Sequence, residues 1–342
     1  MLAPDFAQSF RTLLLIAADD GRRDALFGDS FERAWEAVPP FLVGRRFPDV
    51  YLEHPLAGDP FLDVTLLLAD VEANTRIDSP AAGEHANLLD WYASIDRAGG
   101  SVNLGFELDT SAESLPEAAV HFQPRAHLEY VRPFCEAAGE PGRADLFLDL
   151  AARMPKAWPL SFFGMFRGRP ASPLRVCGYL SLDEKLACAA DAARLAAAFD
   201  RIGFAAYDET MLAQISSLLT VAPPSVDFQF DVYPDGGIGD TFAIDASFGV
   251  ERPSAVLESF SSGVGARTMG LLESWGAADA RWRDAARAAF ARAIDVEGAD
   301  GSPGRLALTV MPQWVKVRWR AGELQAAKLY HSAGATLLSP RS

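Results

Sequence analysis

The sequence predicts an α+β fold in which ten antiparallel strands close into a barrel surrounded by helices. Three observations lead to this prediction. Extended runs occur in pairs joined by turn residues, the pairs alternate with helical segments, and nearly every run has one apolar and one polar face. Because residues two apart in a strand share a face, closure of the sheet would bring all the polar faces into one interior.

Helical periodicity is expected in eight segments, and extended runs form five pairs between them. The helical segments are 5–18, 28–38, 83–98, 126–154, 182–203, 208–220, 253–275 and 278–295. The strand pairs are the two halves of 47–71, 101–109 with 118–124, 160–166 with 174–181, the two halves of 225–250, and 306–320 with 324–332. This order predicts five α-β-β-α repeats in a single domain spanning residues 1–342.

The polar faces favour a closed sheet over an open one. An open antiparallel sheet with one wet face is the alternative, and alternation alone does not separate the two. The polar faces carry side chains suited to directional contacts, and we interpret them as the lining of a lumen that binds a ligand. The candidate lumen residues are Tyr51, Asn103, His121, Gln229, Tyr233 and Asp245.

Bulk composition excludes several classes of protein. Acidic residues outnumber basic ones by 46 to 31, which argues against a nucleic-acid surface. The three cysteines have no CxxC spacing, so we expect reduced thiols and a cytoplasmic location. The apolar run near the N-terminus is short and has no basic segment before it, so we expect neither a signal peptide nor a membrane span. We also expect a monomer.

The last strand pair gathers cations on one face. Lys316 and Arg318 alternate with Val315 and Val317, and Lys328 lies on the second strand. If the polar face points into a lumen, these cations face an internal anion. The alternative is that they neutralise Asp and Glu across the lumen in a buried ion-pair network.

This element order and these lumen residues resemble the ABBA prenyltransferases, whose fold is the PT barrel. The resemblance covers nearly the whole chain and implies transfer of an allylic group from its diphosphate to an aromatic or peptide side-chain nucleophile. It implies diphosphate binding by Arg175, Lys316, Arg318, Lys328, Tyr179 and Tyr330, where the tyrosines, with Tyr233, also shield the carbocation. It further implies that Glu53 orients the nucleophile and that Asp63 helps to hold a Mg²⁺ ion.

Two short motifs are interpreted as turns. The acidic segment 19–24 would be a solvated turn between helices, and the glycine-rich segment 234–240 joins two strands, so it is not a phosphate-binding loop before a helix.

Two functions stay open. The chain is an aromatic or peptide prenyltransferase, or it is a non-catalytic, barrel-shaped binding protein that serves a peptide-modifying or secondary-metabolite pathway.

Overall fold

The structure is a computed structural model that describes residues 26–28, 33–34, 38, 49–68, 85–95, 102–109, 118–124, 127–297 and 303–338. The strands are β1 (Asp49–Pro55), β2 (Asp63–Leu68), β3 (Asn103–Leu108), β4 (Ala119–Gln123), β5 (Leu160–Met165), β6 (Leu174–Tyr179), β7 (Val226–Val232), β8 (Ile238–Ser247), β9 (Phe290–Glu297), β10 (Pro303–Arg320), β11 (Glu323–Leu324) and β12 (Lys328–Leu337). The helices are α1 (Ala86–Ser94), α2 (Val131–Ala137), α3 (Gly142–Arg153), α4 (Leu182–Ala190), α5 (Ala192–Ile202), α6 (Glu209–Val221), α7 (Pro253–Ser261), α8 (Val264–Ser274) and α9 (Trp282–Arg287).

The sheet closes through the two long C-terminal strands. The strands from β1 to β8 are hydrogen-bonded in sequence order, β12 pairs with β1, and β10 pairs with both β12 and β8. All of these pairings are antiparallel, and they leave β9 and β11 outside the ring because each pairs only with β10. Ten strands therefore form a closed barrel, as the five repeated strand pairs predicted, and an open sheet is excluded.

The apolar faces of the strands point outward and are covered by helices. Phe122 on β4 stacks on Phe134 of α2 with ring centroids 4.4 Å apart, and Phe163 on β5 packs against Phe147 of α3 at 4.5 Å. Further around the barrel, Phe199 of α5 packs against Phe242 of β8. This burial supplies the hydrophobic free energy of the fold, and it leaves the polar side chains to the lumen.

Several of the expected helices have different bounds in the structure. Segment 182–203 is two helices, because Asp191 is extended and its side chain caps α5 by accepting from the Ala193 amide. Segment 253–275 is likewise divided between α7 and α8. The expectation of helix over 278–295 is wrong beyond α9, since Phe290–Glu297 pairs with the first half of β10. Segment 5–18 and most of 28–38 lie outside the described residues.

Two further features concern the class of protein. Among the helices that the structure describes, none is both long and apolar enough to cross a lipid bilayer. Cys135, Cys177 and Cys188 are all buried free thiols.

Two buried histidines stack on the outer face of the barrel. The rings of His54 on β1 and His331 on β12 lie 5.3 Å apart, and His331 Nε2 lies 3.1 Å from the Ala285 carbonyl oxygen. Burial lowers the pKa of His331 to about 4, and burial together with the positive charge of a protonated His331 lowers the pKa of His54 well below its usual value. Both rings are therefore neutral in the folded protein at neutral pH.

We expect this pair to destabilise the fold as the pH falls. Below about pH 6.5 the unfolded chain binds protons that the folded histidines do not, so each ring costs about 1.4 kcal/mol per pH unit until its folded pKa is reached. Urea unfolding at several pH values should show His331→Gln gaining stability relative to wild type between pH 6.5 and 4.5. The exposed His127→Gln is the control, and an equal pH trend in wild type and His331→Gln would contradict the account.

Candidate active site

The lumen contains two connected cavities of different character. The larger has a volume of about 340 Å³, within the range of small-molecule sites, and the smaller has a volume of about 30 Å³. Glu107, Arg175, Gln229 and Lys316 line both, so the cavities meet in the middle of the barrel. The smaller cavity is lined by five cations and three carboxylates, which are Arg169, Arg175, Lys316, Arg318, Lys328, Glu53, Glu107 and Asp231.

Lys328 joins the two carboxylates of the first hairpin. Its Nζ lies 2.6 Å from Glu53 Oε1 and 3.0 Å from Asp63 Oδ2, because Glu53 and Asp63 are direct partners across β1 and β2. Burial opposes ionisation of Glu53, but the charges of Lys328 and Lys316 lower its pKa. Burial raises the pKa of Asp63 to about 7 despite Lys328. This part of the predicted ion-pair network is therefore present.

Two arginines are held by carboxylates and by one aromatic ring. Arg175 donates from Nε and Nη2 to the two carboxylate oxygens of Asp231, at 2.9 and 3.3 Å, and Arg169 donates to Glu107 at 3.2 Å. Both guanidinium groups lie against the ring of Phe166. The guanidinium carbon of Arg169 is 3.9 Å from the ring centroid, and that of Arg175 is 4.4 Å from it. Cation–π attraction and the two acids let these like charges sit side by side.

Lys316 and Arg318 differ from these cations. Within the described part of the chain, neither has a carboxylate at ion-pair distance. The Lys316 ammonium lies over the Tyr330 ring, 4.8 Å from its centroid. Burial lowers the pKa of Arg318, and the positive charge of Arg175 lowers it further. These two neighbouring cations on β10 therefore have no ion-pair partner in the described part of the chain.

Three aromatic rings form one wall of the larger cavity. Trp314 stacks on Tyr330 at 5.3 Å and contacts Tyr51 at 4.6 Å between ring centroids. A bulge in β10 between Pro312 and Trp314 sets the register that places the indole here. Burial and the charge of Asp49 raise the pKa of Tyr51 to about 12, so its ring is a neutral phenol.

Three acidic residues line the larger cavity but not the smaller one, and these are Asp49, Asp227 and Asp245. Asp227 on β7 and Asp245 on β8 are direct cross-strand partners, and Asp49 lies at the exposed start of β1. Burial and the charge of Asp245 raise the pKa of Asp227 to about 7, and burial raises the pKa of Asp245 to about 6. The lumen is therefore polarised, with excess cations at one end and acids at the other.

His121 and Glu107 form a pair between the two ends. His121 Nε2 lies 3.0 Å from Glu107 Oε2. Gly164 on the neighbouring strand makes room for the ring, because a Cβ there would lie 2.7 Å from His121 Nδ1. Burial opposes ionisation of Glu107, but the hydrogen bond and charge of His121 and the charge of Arg169 lower its pKa well below the usual value.

Most of the residues predicted for the site line one of the two cavities. The larger cavity is lined by Tyr51, Asn103, His121, Gln229, Asp245, Arg175, Lys316 and Tyr330. The smaller one is lined by Glu53, Arg318 and Lys328 as well. Tyr179 is 46% exposed at the end of β6 and Tyr233 lies at the turn after β7, and neither lines a cavity. Asp63 reaches the site through Lys328.

Several residues of the lumen and its edge were not among the site candidates. Trp314, Asp227 and Asp231 follow the same two-residue alternation as the candidates and were recoverable from it. Arg169 lies in the turn after β5, and strand alternation does not predict its ion pair with Glu107. Phe166 belongs to the predicted strand 160–166, which is apolar on both faces, so alternation did not assign it to the lumen.

The donor set at Asp63 does not fit a magnesium ion. No cluster of three or more His, Cys, Asp or Glu side chains capable of holding a metal occurs in the described ranges. The two carboxylates of the first hairpin, Glu53 and Asp63, both contact the Lys328 ammonium, which takes the position between them. Magnesium prefers octahedral oxygen ligands, so no step of the chemistry is assigned to a metal here.

The Lys328 network gives a stability prediction. Lys328→Met leaves Glu53 and Asp63 buried without their cation, and breaking such a buried pair costs about 3–5 kcal/mol. Urea unfolding at pH 7.5 should show a loss of this size, and adding Asp63→Asn should restore part of it. Arg305→Met, at an exposed ion pair, is the control. A stability loss no larger than that of the control would contradict the proposed importance of Lys328.

Comparisons with known proteins identify the fold. No family model matches the sequence, and no curated protein matches it. The 5-dimethylallyltryptophan synthase from Streptomyces coelicolor is similar in structure, with 14% identity, 97% of each chain covered and a TM-score of 0.56. The apo form of the prenyltransferase PriB is similar with 14% identity, 97% of this chain and 96% of that chain covered, and a TM-score of 0.50. The chain therefore has the PT-barrel fold of the ABBA prenyltransferases.

Proposed function

We propose that the protein is an aromatic prenyltransferase that transfers an allylic group from its diphosphate to an aromatic acceptor inside the barrel. The observation that carries this proposal is the pair of cations without an ion-pair partner in the described residues, Lys316 and Arg318, in a cavity lined by five cations and three carboxylates. A diphosphate supplies the negative charge that this cluster lacks. The fold shared with a dimethylallyltryptophan synthase supports the same reaction class.

The lumen has the parts that this reaction requires. The allylic C–O bond breaks, and the diphosphate leaves with the electron pair into the field of Lys316 and Arg318. The faces of Tyr51, Trp314 and Tyr330 lie beside this cluster and stabilise the allylic cation while excluding water. A ring carbon of the acceptor forms the new C–C bond, and the ring then loses a proton to a carboxylate.

We propose that Lys328 takes the role that was predicted for magnesium. Its ammonium bridges Glu53 and Asp63 at the edge of the smaller cavity, where it takes the position between the two carboxylates that a metal ion would occupy. Donor binding should therefore be the same with magnesium and with a chelator.

Donor binding tests the proposal directly. Dimethylallyl thiolodiphosphate does not readily ionise, so calorimetry reports its binding alone. Lys316→Ala and Arg318→Ala should each weaken binding about 10–100-fold, because a hydrogen bond to a charged group contributes about 1.5–3 kcal/mol. The control is Arg320→Ala, one alternation further along β10 and exposed at the rim, which should bind as wild type does. Equal binding by all four proteins would contradict the assignment.

Glu53 is the proposed carboxylate that orients the acceptor and accepts its proton. Glu53→Gln keeps the volume and one accepting oxygen but removes the proton acceptor. We expect turnover to fall at least 100-fold with thiolodiphosphate binding retained. Glu107→Gln is the matched comparison, since Glu107, whose side chain is 11% exposed, is the second glutamate that lines the two cavities in the described residues. Loss of turnover in Glu107→Gln but not in Glu53→Gln would transfer the role to Glu107.

A non-catalytic binding role is the second candidate. The observation that favours it is the ion-pair network, because Lys328, Arg175 and Arg169 already contact carboxylates of the protein. In that case Lys316 and Arg318 would balance the charges of the lumen at a distance. Absence of thiolodiphosphate binding, with or without magnesium, would favour this role over transfer.

A further inference from the structure

The acidic part of the larger cavity contains a carboxylate pair without a counter-cation. Asp227 and Asp245 face each other across β7 and β8, an arrangement in which like charges repel. Lys316 is the register partner of Asp245 on β10, yet its ammonium lies over the Tyr330 ring and not at ion-pair distance from this carboxylate. The described chain therefore leaves both acids without a bound cation.

Unfilled hydrogen-bond positions occur at the same place. Asp245 Oδ2 accepts a 2.6 Å hydrogen bond from Gln229, but Asp245 Oδ1 is buried and has no partner among the described residues. The Tyr330 hydroxyl, on a side chain that is 4% exposed, lies near Glu53 but has no hydrogen-bond partner of good geometry among the described residues. Both side chains line the larger cavity. Buried polar atoms are costly when unpaired, so these oxygens indicate a ligand that donates hydrogen bonds.

The titration of the two acids is consistent with a missing cation. Burial and the charge of Asp245 raise the pKa of Asp227 to about 7. Burial raises the pKa of Asp245 to about 6 although the charges of Lys316 and Arg175 and the hydrogen bond from Gln229 oppose the shift. A cation between the two carboxylates would relieve both penalties.

A metal ion is a poor occupant of this position. In the described residues, the pair has no third His, Cys, Asp or Glu ligand that would complete a metal site. An ammonium group suits the position better, because it is compact, carries one charge and donates three hydrogen bonds. The aromatic wall formed by Tyr51, Trp314 and Tyr330 lines the same cavity and would hold a ring attached to that ammonium.

We propose that the acceptor is an arylalkylamine, whose protonated amine is bound by Asp227 and Asp245 while its ring lies against Trp314 and Tyr51. This inference rests on the proposed prenyl transfer for the identity of the second substrate. The polarised lumen then orients both substrates. The diphosphate lies at the cationic end, the ammonium lies at the acidic end, and the reacting carbons meet between them.

Matched pairs of ligands test the inference by calorimetry. Tryptamine and indole-3-propionate share a ring and differ in the sign of the side-chain charge, as do phenethylamine and 3-phenylpropionate. Wild type should bind each amine at least about 10-fold more tightly than its carboxylate partner, which corresponds to one charge-assisted contact. Asp227→Asn and Asp245→Asn should each reduce this preference about 10-fold. Asp240→Asn, at the exposed ion pair with Arg320, is the control and should keep it.

Thiolodiphosphate binding, measured on the same proteins, separates this inference from the proposed function. Both Asn variants should keep donor binding, which also shows that they are folded. Donor binding without any preference for amines, or a preference that survives in both Asn variants, overturns the arylalkylamine assignment and leaves prenyl transfer standing. A preference for amines that depends on the two acids, without donor binding, supports the ammonium site and overturns prenyl transfer.

Discussion

Closure of the sheet is the constraint on which the rest of the structure depends. Once β10 pairs with both β8 and β12, the polar face of every barrel strand lies in an interior from which bulk water is largely removed. Each charge there must find a partner or shift its pKa. Lys328, Arg175 and Arg169 find carboxylates, whereas the pKa values of Asp63, Asp227 and Asp245 shift upward.

The lumen charges without an ion-pair partner in the described residues form two groups. Lys316 and Arg318 carry excess positive charge beside the smaller cavity, and the Asp227–Asp245 pair carries excess negative charge in the larger one. A lumen built only for stability would bring these groups together, since they lie on adjacent strands. The absence of ion pairs between these groups costs stability. The proposed reaction explains the arrangement, because an anionic donor would pair with the cations and a cationic acceptor would pair with the acids.

The sequence predicted the architecture because its signal was periodic and repeated. Alternation in the strands fixed which side chains face the lumen, and it placed Lys316, Arg318 and Lys328 correctly relative to one another. It did not show that Glu53 and Asp63 both contact Lys328, because that contact depends on the pairing of strands far apart in the sequence. Arg169 reaches the lumen from a turn, and Tyr179 leaves it at a strand end, so strand periodicity described neither.

The position of a bound diphosphate is the most direct test of the account. A crystal structure determined with dimethylallyl thiolodiphosphate should place the phosphate oxygens within hydrogen-bond distance of Lys316 and Arg318, with the allylic chain against Trp314 and Tyr330. A diphosphate bound outside the barrel, or beside Asp227 and Asp245, would contradict the claim that the cationic end of the lumen is the donor site.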